Sequence, residues 1–236
     1  LVVAVCVRDL GILSKRTCLE LDLRQREKGS MDARTTVIDW HGIQISRTEL
    51  NSAFHQVGSV PESVLTFGLP VFEGLDFSWC SARPNAGALI NFNLDGGFEG
   101  VSSSRFCGYA ISFQLAQLQF LARQLGISRP VESLVKKSSY WNSDETAVLG
   151  NRCSMMFRQM LVSGESVIQE NAEFINEEIG IYILNELLDD ATHGEVVRAG
   201  QQRFMLKKSL EILNNPESLP ITVAQLCARV GTSVST

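Results

Sequence analysis

The hydrophobic period of the chain changes once, near Phe113, and this switch limits the available folds more than any other feature. Upstream, Leu19, Leu21 and Leu23 alternate with Glu20, Asp22 and Arg24, the pattern of a strand with one buried face. Further short strands are expected at 35–40, 42–46, 64–69, 76–79, 88–92, 98–102 and 106–113. They are separated by turn signals at His41-Gly42, Phe72-Glu73-Gly74, Pro84-Asn85-Ala86-Gly87 and Asp95-Gly96-Gly97. Short, evenly spaced strands with Gly-rich turns imply an antiparallel sandwich or small barrel. Downstream, Leu115, Leu118, Leu121, Ala122 and Leu125 recur at helical spacing, closed by Gly126 with Pro130 beyond. A second helix is expected at 144–161, capped by Ser143, and a third at 167–188.

The tail continues the helical pattern. Phe204, Leu206, Leu210 and Leu213 give one helix a core-facing side, ended by Asn214-Asn215-Pro216. Val223, Leu226, Cys227 and Val230 then lie at i, i+3, i+4 and i+7, a single apolar stripe. Thr222 and Gln225 are spaced for a reciprocal capping box, Gly231 suits the exit from the helix, and Ser233 suits the cap of another. Two helices joined by a short Gly-containing turn form a helix-turn-helix or an ordinary αα-corner.

Charge is distributed unevenly along the chain. The net charge is -5, yet residues from Glu195 onward carry five basic against three acidic side chains, a net of +2. That leaves 16 basic against 23 acidic residues upstream, a net of -7. An acidic body with a mildly basic tail fits a sensor domain joined to the start of a nucleic-acid-binding domain. With 44% hydrophobic and 20% charged residues, the chain can build one large or two modest cores.

The tail resembles the first helix-turn-helix of the AraC/XylS family of bacterial transcription regulators. The resemblance covers about the final thirty-five residues and rests on Thr222 as N-cap, Leu226, Gly231 at the turn and Ser233 opening the reading helix, with Cys227 where the family usually has Ala. It implies a cupin-like effector domain upstream. The expected class is therefore α+β: a cupin-like antiparallel β-barrel or sandwich, then helices, then the start of an all-α helix-turn-helix domain. The expected boundaries are 1–112 for the sensor, 113–190 for linking helices and 195–236 for the incomplete DNA-binding domain, with Asp189-Asp190-Ala191-Thr192-His193-Gly194 as an exposed linker. The linking helices either cover the β domain or offer a homodimerisation surface. Ser233, Val234, Ser235 and Thr236 would begin the DNA-reading helix. Leu at position 1 and the unfinished motif at 236 suggest a fragment, a truncated gene product or, for the first residue, an alternative start codon.

No enzyme is expected. Catalytic cupins hold a metal through paired His residues, a carboxylate and a later His, whereas His41, His55 and His193 are dispersed. Nucleophile-elbow, P-loop and dinucleotide motifs are missing, and Asp95-Gly96-Gly97 reads as a hairpin turn. Glu177-Glu178 reads as a solvated helix edge. The six cysteines show no metal spacing and read as free thiols in a reducing, cytoplasmic protein. The apolar opening is too short for a signal-peptide core or a membrane span.

Phe67, Phe77, Trp79, Phe92 and Tyr109 lie on expected strands. They either line a pocket for a small organic effector, with Trp79 or Tyr109 as polar handle, or simply fill the core. The expected function is an effector-responsive, promoter-binding regulator without cofactors, whose partners are promoter DNA and an unknown small molecule. The alternative is a stand-alone small-molecule-binding or dimerisation module of cupin-like fold.

Overall fold

The computed structural model describes residues 2–7, 17–30, 32–71, 77–85, 87–102, 105–136, 140–141, 144–164, 166–188, 209, 212–215 and 220–230. The chain divides into two units, Leu1–Val196 and Val197–Thr236.

The first unit is an α+β, cupin-like domain built on two antiparallel sheets. Its strands are β1 (Val2–Val7), β2 (Glu20–Gln25), β3 (Ala33–Trp40), β4 (Ile43–Leu50), β5 (Phe54–Ser59), β6 (Val64–Pro70), β7 (Phe77–Trp79), β8 (Leu89–Asn91), β9 (Phe98–Ser102), β10 (Phe106–Gln114) and β11 (Tyr140–Trp141). One sheet has the order β1-β3-β4-β10-β6-β8-β11 and the other β2-β5-β9-β7. Among the described residues neither closes into a barrel.

Strand parity assigns the two faces of the larger sheet. In β4 and β10 the paired residues Ile43 and Phe113, Ile45 and Ile111, and Arg47 and Tyr109 share one face. That face joins the core formed with the helices. Leu50 and Phe106 share the opposite face, which joins Leu19, Phe54, Phe77, Trp79 and Phe98 in the core between the sheets. His41 and Gly42, both at positive φ, make the two-residue turn from β3 to β4.

The helices are α1 (Leu115–Gln124), α2 (Val131–Val135), α3 (Asp144–Ser163), α4 (Ser166–Glu170) and α5 (Ile179–Leu188). Gly126, at φ 75°, ends α1, and the Ile127 N–H donates to the Ala122 carbonyl. Gly180 admits the close approach of α5 to α1, since a Cβ there would lie 2.5 Å from Leu121.

Several elements differ from the sequence reading. The stretch expected as one helix over 167–188 is interrupted. Asn171 donates its side-chain amide back to the Val167 carbonyl, and Phe174–Glu178 form a π-helical turn before α5. Arg152 of α3 grips that wide turn, stacking 4.2 Å from the Phe174 ring centroid and pairing with Glu178. Glu178 is therefore an ion-pair partner, while its neighbour Glu177 is exposed. Asp95-Gly96-Gly97 is not a hairpin turn, because the strands on either side, β8 and β9, belong to different sheets. Strands β1, β5 and β11 and helix α2 carry no clear periodic signal in the sequence.

In the second unit, α6 spans Val223–Val230. Val230 is buried and Leu226 and Cys227 half-buried, but Val223 is 66% exposed, so the stripe starts one turn later than its spacing implies. Leu213 is 41% exposed and does not sit in a core. Phe204, Leu206, Leu210, Pro216, Gly231, Ser143, Phe72-Glu73-Gly74, Ala86 and the linker 189–194 lie outside the described residues.

Candidate functional site

A cavity of about 60 Å³ lies between the two sheets. That exceeds the roughly 10–15 Å³ one water requires and falls short of the ~300 Å³ of pockets that envelop a drug-sized ligand. Leu19, Leu21 and Leu23 form one wall, from β2 and the residues leading into it. Phe54, Phe92 and Phe106 form another. These rings belong to a continuous aromatic chain: Phe54 meets Phe106, Phe106 meets Phe77, Phe77 meets Trp79, and Trp79 meets Phe92 and Phe98.

The polar lining comes from Thr17, Ser46, Thr48 and Gln56. Two of these hydroxyls already have partners: Ser46 donates to the Ala110 carbonyl and Thr48 bonds Thr35. The Gln56 carboxamide forms no side-chain hydrogen bond with another described residue. Glycines make space around it. A Cβ on Gly100 would stand 2.6 Å from the Gln56 amide nitrogen and 2.9 Å from the Trp79 ring.

Of the five residues nominated from sequence, Phe92 lines the cavity with its ring packed against Trp79 at 4.6 Å. Gly68 makes room for that ring, since a Cβ there would lie 2.6 Å from it. Tyr109 borders the cavity, but its side chain lies on the helix-facing side of β10. There the hydroxyl donates to Ser154 at 3.0 Å and the ring packs on Phe157. Burial holds its phenol above the ordinary range, opposed by the Ser154 hydrogen bond. Trp79 is fully buried and donates its indole N–H to the Asn91 carbonyl, so neither expected polar handle points into the cavity. Phe77 packs behind the cavity wall, and Phe67 sits on the helix-facing side near Trp141. Sequence reasoning missed Gln56, because β5 presents Phe54, Gln56 and Gly58 inward and so lacks apolar alternation.

A buried amide network fixes the Phe92 wall. Asn93 accepts from the Thr66 N–H and donates to the Thr66 carbonyl, each at 2.8 Å, so its side chain pairs with β6 as a strand would. Asn91 accepts from the Asn93 N–H and donates to the Val135 carbonyl at the end of α2. The segment carrying Phe92 is thus tied to both the sheet and the helical layer.

No metal constellation is present: among the described residues no three His, Cys, Asp or Glu side chains cluster to hold an ion. His55 pairs with Glu99 at 2.7 Å on the outer face of the smaller sheet. His41 is exposed at the β3–β4 turn. Among the described residues no helix is long and apolar enough to cross a membrane.

In the second unit the capping box is formed. The Gln225 N–H donates to the Thr222 hydroxyl at 3.3 Å, and the Thr222 N–H donates to the Gln225 side-chain carbonyl at 2.9 Å. Arg229 occupies the last turn of α6. The nominated DNA contacts Ser233, Val234, Ser235 and Thr236 lie outside the described residues.

These features define a cupin-like β domain with helical cover, followed by a small unit that contains a capped helix. No known protein family matches the chain, and no curated protein matches it. Among solved structures, the AraC-like transcriptional activator CuxR is similar in fold, with a TM-score of 0.53 and 16% identity over 98% of this chain and 85% of that chain.

Proposed function

We propose that the chain belongs to an effector-responsive, AraC-type transcription regulator rather than an enzyme. In this reading residues 1–112 sense a small molecule, 113–190 link and dimerise, and the DNA-binding domain begins near 195. The observation that carries the reading is the reciprocal Thr222–Gln225 box opening α6, the feature expected where the first helix-turn-helix of such a domain begins. The likeness to an AraC-like activator over nearly the whole chain supports it. Ser233, Val234, Ser235 and Thr236 would open the reading helix, placing hydroxyls and backbone N–H groups at DNA. An effector alters promoter occupancy only by binding one arrangement of the protein more tightly than another.

For dimerisation, Val148, Met155 and Val162 lie seven residues apart along α3 and are all exposed, an unpartnered stripe of coiled-coil spacing. A monomeric mass at micromolar concentration would remove this part of the reading.

The function is tested by enriching genomic fragments on the complete gene product and footprinting the winners at physiological salt. A discrete protected promoter site is expected. Binding that shows no sequence preference and vanishes as salt rises would refute the proposal.

A further inference from the structure

We infer that the cavity between the sheets is a site for a small uncharged ligand with an apolar body and one hydrogen-bonding group, which pairs with the Gln56 carboxamide. The inference rests on the reading of the β domain as the sensor and names the chemistry of what it senses.

The argument begins with charge. Every strand that lines the cavity directs its ionisable side chains to the opposite face. On β2, Leu21 and Leu23 point in while Glu20, Asp22 and Arg24 are exposed. On β5, Gln56 lines the cavity while His55 pairs with Glu99 outside. On β4, Ser46 and Thr48 line it while Arg47 and Glu49 pair with each other on the helix-facing side. Among the described residues no Asp, Glu, Lys, Arg or His lines the cavity. A carboxylate or ammonium bound there would lose hydration and gain no counter-charge from the described lining, which disfavours charged ligands.

The same lining disfavours polyols. The walls are leucine and phenylalanine, and the Ser46 and Thr48 hydroxyls are engaged within the protein. Beyond Gln56 the lining offers mainly the remaining lone pairs of already engaged hydroxyls, so most hydroxyls of a polyol would be buried without a partner. One amide, able both to donate and to accept, matches a single hydroxyl, carbonyl or amide head.

The volume of about 60 Å³ describes the resting cavity. Its leucine wall can yield, because among the described residues β2 is an edge strand paired only with β5, and Leu21 and Leu23 are half-buried. Ligands larger than a few non-hydrogen atoms would enter by displacing this strand.

Trp79 supplies a readout, since it touches Phe92 and lies beside the Gln56 amide across Gly100. The 236-residue chain is titrated with benzyl alcohol, with benzoate as a charged probe of matched shape, and with ribitol as an uncharged polyol. Tryptophan emission and Tm are followed. Benzyl alcohol is expected to saturate the emission change and raise Tm by about 5–10 °C at a hundredfold excess over Kd. Benzoate and ribitol are expected to bind at least about tenfold more weakly. Leu21→Trp, which fills the cavity, should abolish binding while the protein still melts cooperatively. Gln56→Leu should remove the preference for benzyl alcohol over toluene.

Equal or tighter binding of benzoate or ribitol, no saturable binding of any probe, or retained binding in a folded Leu21→Trp variant would each overturn the inference. Promoter footprints without binding of an uncharged apolar probe remove the ligand class and leave the regulator. Saturable benzyl alcohol binding in a protein that protects no promoter keeps the ligand class and removes the regulator.

Discussion

Gly58 of β5 is the position where one added methyl group should do most damage. It pairs with Leu21 of β2 on one side and Phe98 of β9 on the other. A Cβ there would lie 2.3 Å from the Glu20 carbonyl oxygen and 2.6 Å from the Phe98 ring, whereas real Cβ contacts essentially never fall below 3.0 Å. The Phe98 ring is wedged by Trp79 and Phe92, so it has little freedom to turn away. Relief must come chiefly from β2, which among the described residues is held on one side only. Moving it costs one or two backbone hydrogen bonds at about 0.5–1.5 kcal/mol each, and disturbing the Phe98–Trp79 stack costs about 0.5–1.5 kcal/mol more. Gly58→Ala is therefore expected to destabilise the domain by roughly 2–4 kcal/mol, a Tm drop of about 5–15 °C for a chain of this size. Thermal melts and amide exchange check it, with the loss of protection concentrated at Leu21 and Leu23. Gly150→Ala is the control: a Cβ there meets nothing within 4 Å inside α3, so about 0.5–1 kcal/mol of stabilisation is expected. A Gly58→Ala protein with unchanged Tm and unchanged β2 exchange would refute the account of how the leucine wall is held.

Three further outcomes follow from the same structure. Asn93→Ala leaves the N–H of buried Thr66 without its partner, while the Thr66 carbonyl keeps the Phe92 N–H, and should cost about 1–3 kcal/mol in urea unfolding at constant m-value; a loss under 0.5 kcal/mol would show the network to be dispensable. Thr222→Ala should destabilise α6 by about 1 kcal/mol and speed exchange of the Gln225 amide, while Thr222→Ser should not; equal exchange in both variants would mean the cap is not formed in solution. Complete burial pushes the Cys153 thiol from 9.0 up to about 12. Its folded pKa is raised, so the stability it contributes is intact below pH 9 and falls as pH climbs toward 12, at about 1.4 kcal/mol per pH unit. Urea titrations from pH 8 to 11 should therefore decline more steeply for the wild type than for Cys153→Ala, and parallel curves would contradict the burial argument.

Rigidity is unevenly divided between the walls of the cavity. Phe92 is anchored to the larger sheet and to α2 through Asn91 and Asn93, whereas the leucine wall hangs on an edge strand. The cavity therefore has one fixed surface and one that can adjust. Burial also raises the Cys107 thiol, with nearby Arg47 opposing, so this residue is a packed side chain rather than a reactive one.

Local chemistry made much of this protein legible from its residues alone. Alternation at Leu19, Leu21 and Leu23 marks β2 because only one face of that strand is buried. Gly126 marks the end of α1 because a positive φ is needed there, and Thr222 with Gln225 marks the start of α6 because both caps lie within four residues. Decisions that depend on distant partners could not be read this way. Strand β5 stayed hidden because Gln56 and Gly58 face inward, one lining a cavity and the other pressed against a carbonyl of β2. Period alone placed Tyr109 and Phe92 in the same class of buried aromatic. The assignment of alternate strand faces to two different cores put the Tyr109 hydroxyl against Ser154 and the Phe92 ring at the cavity. The π turn at Phe174–Glu178 is met by Arg152, some twenty residues away, which stacks on Phe174 and pairs with Glu178, a partnership that no local pattern announces. Sequence fixes backbone preference and the sidedness of each element; only the packing of one element on another decides which side meets a helix, which meets a sheet and which is left facing space.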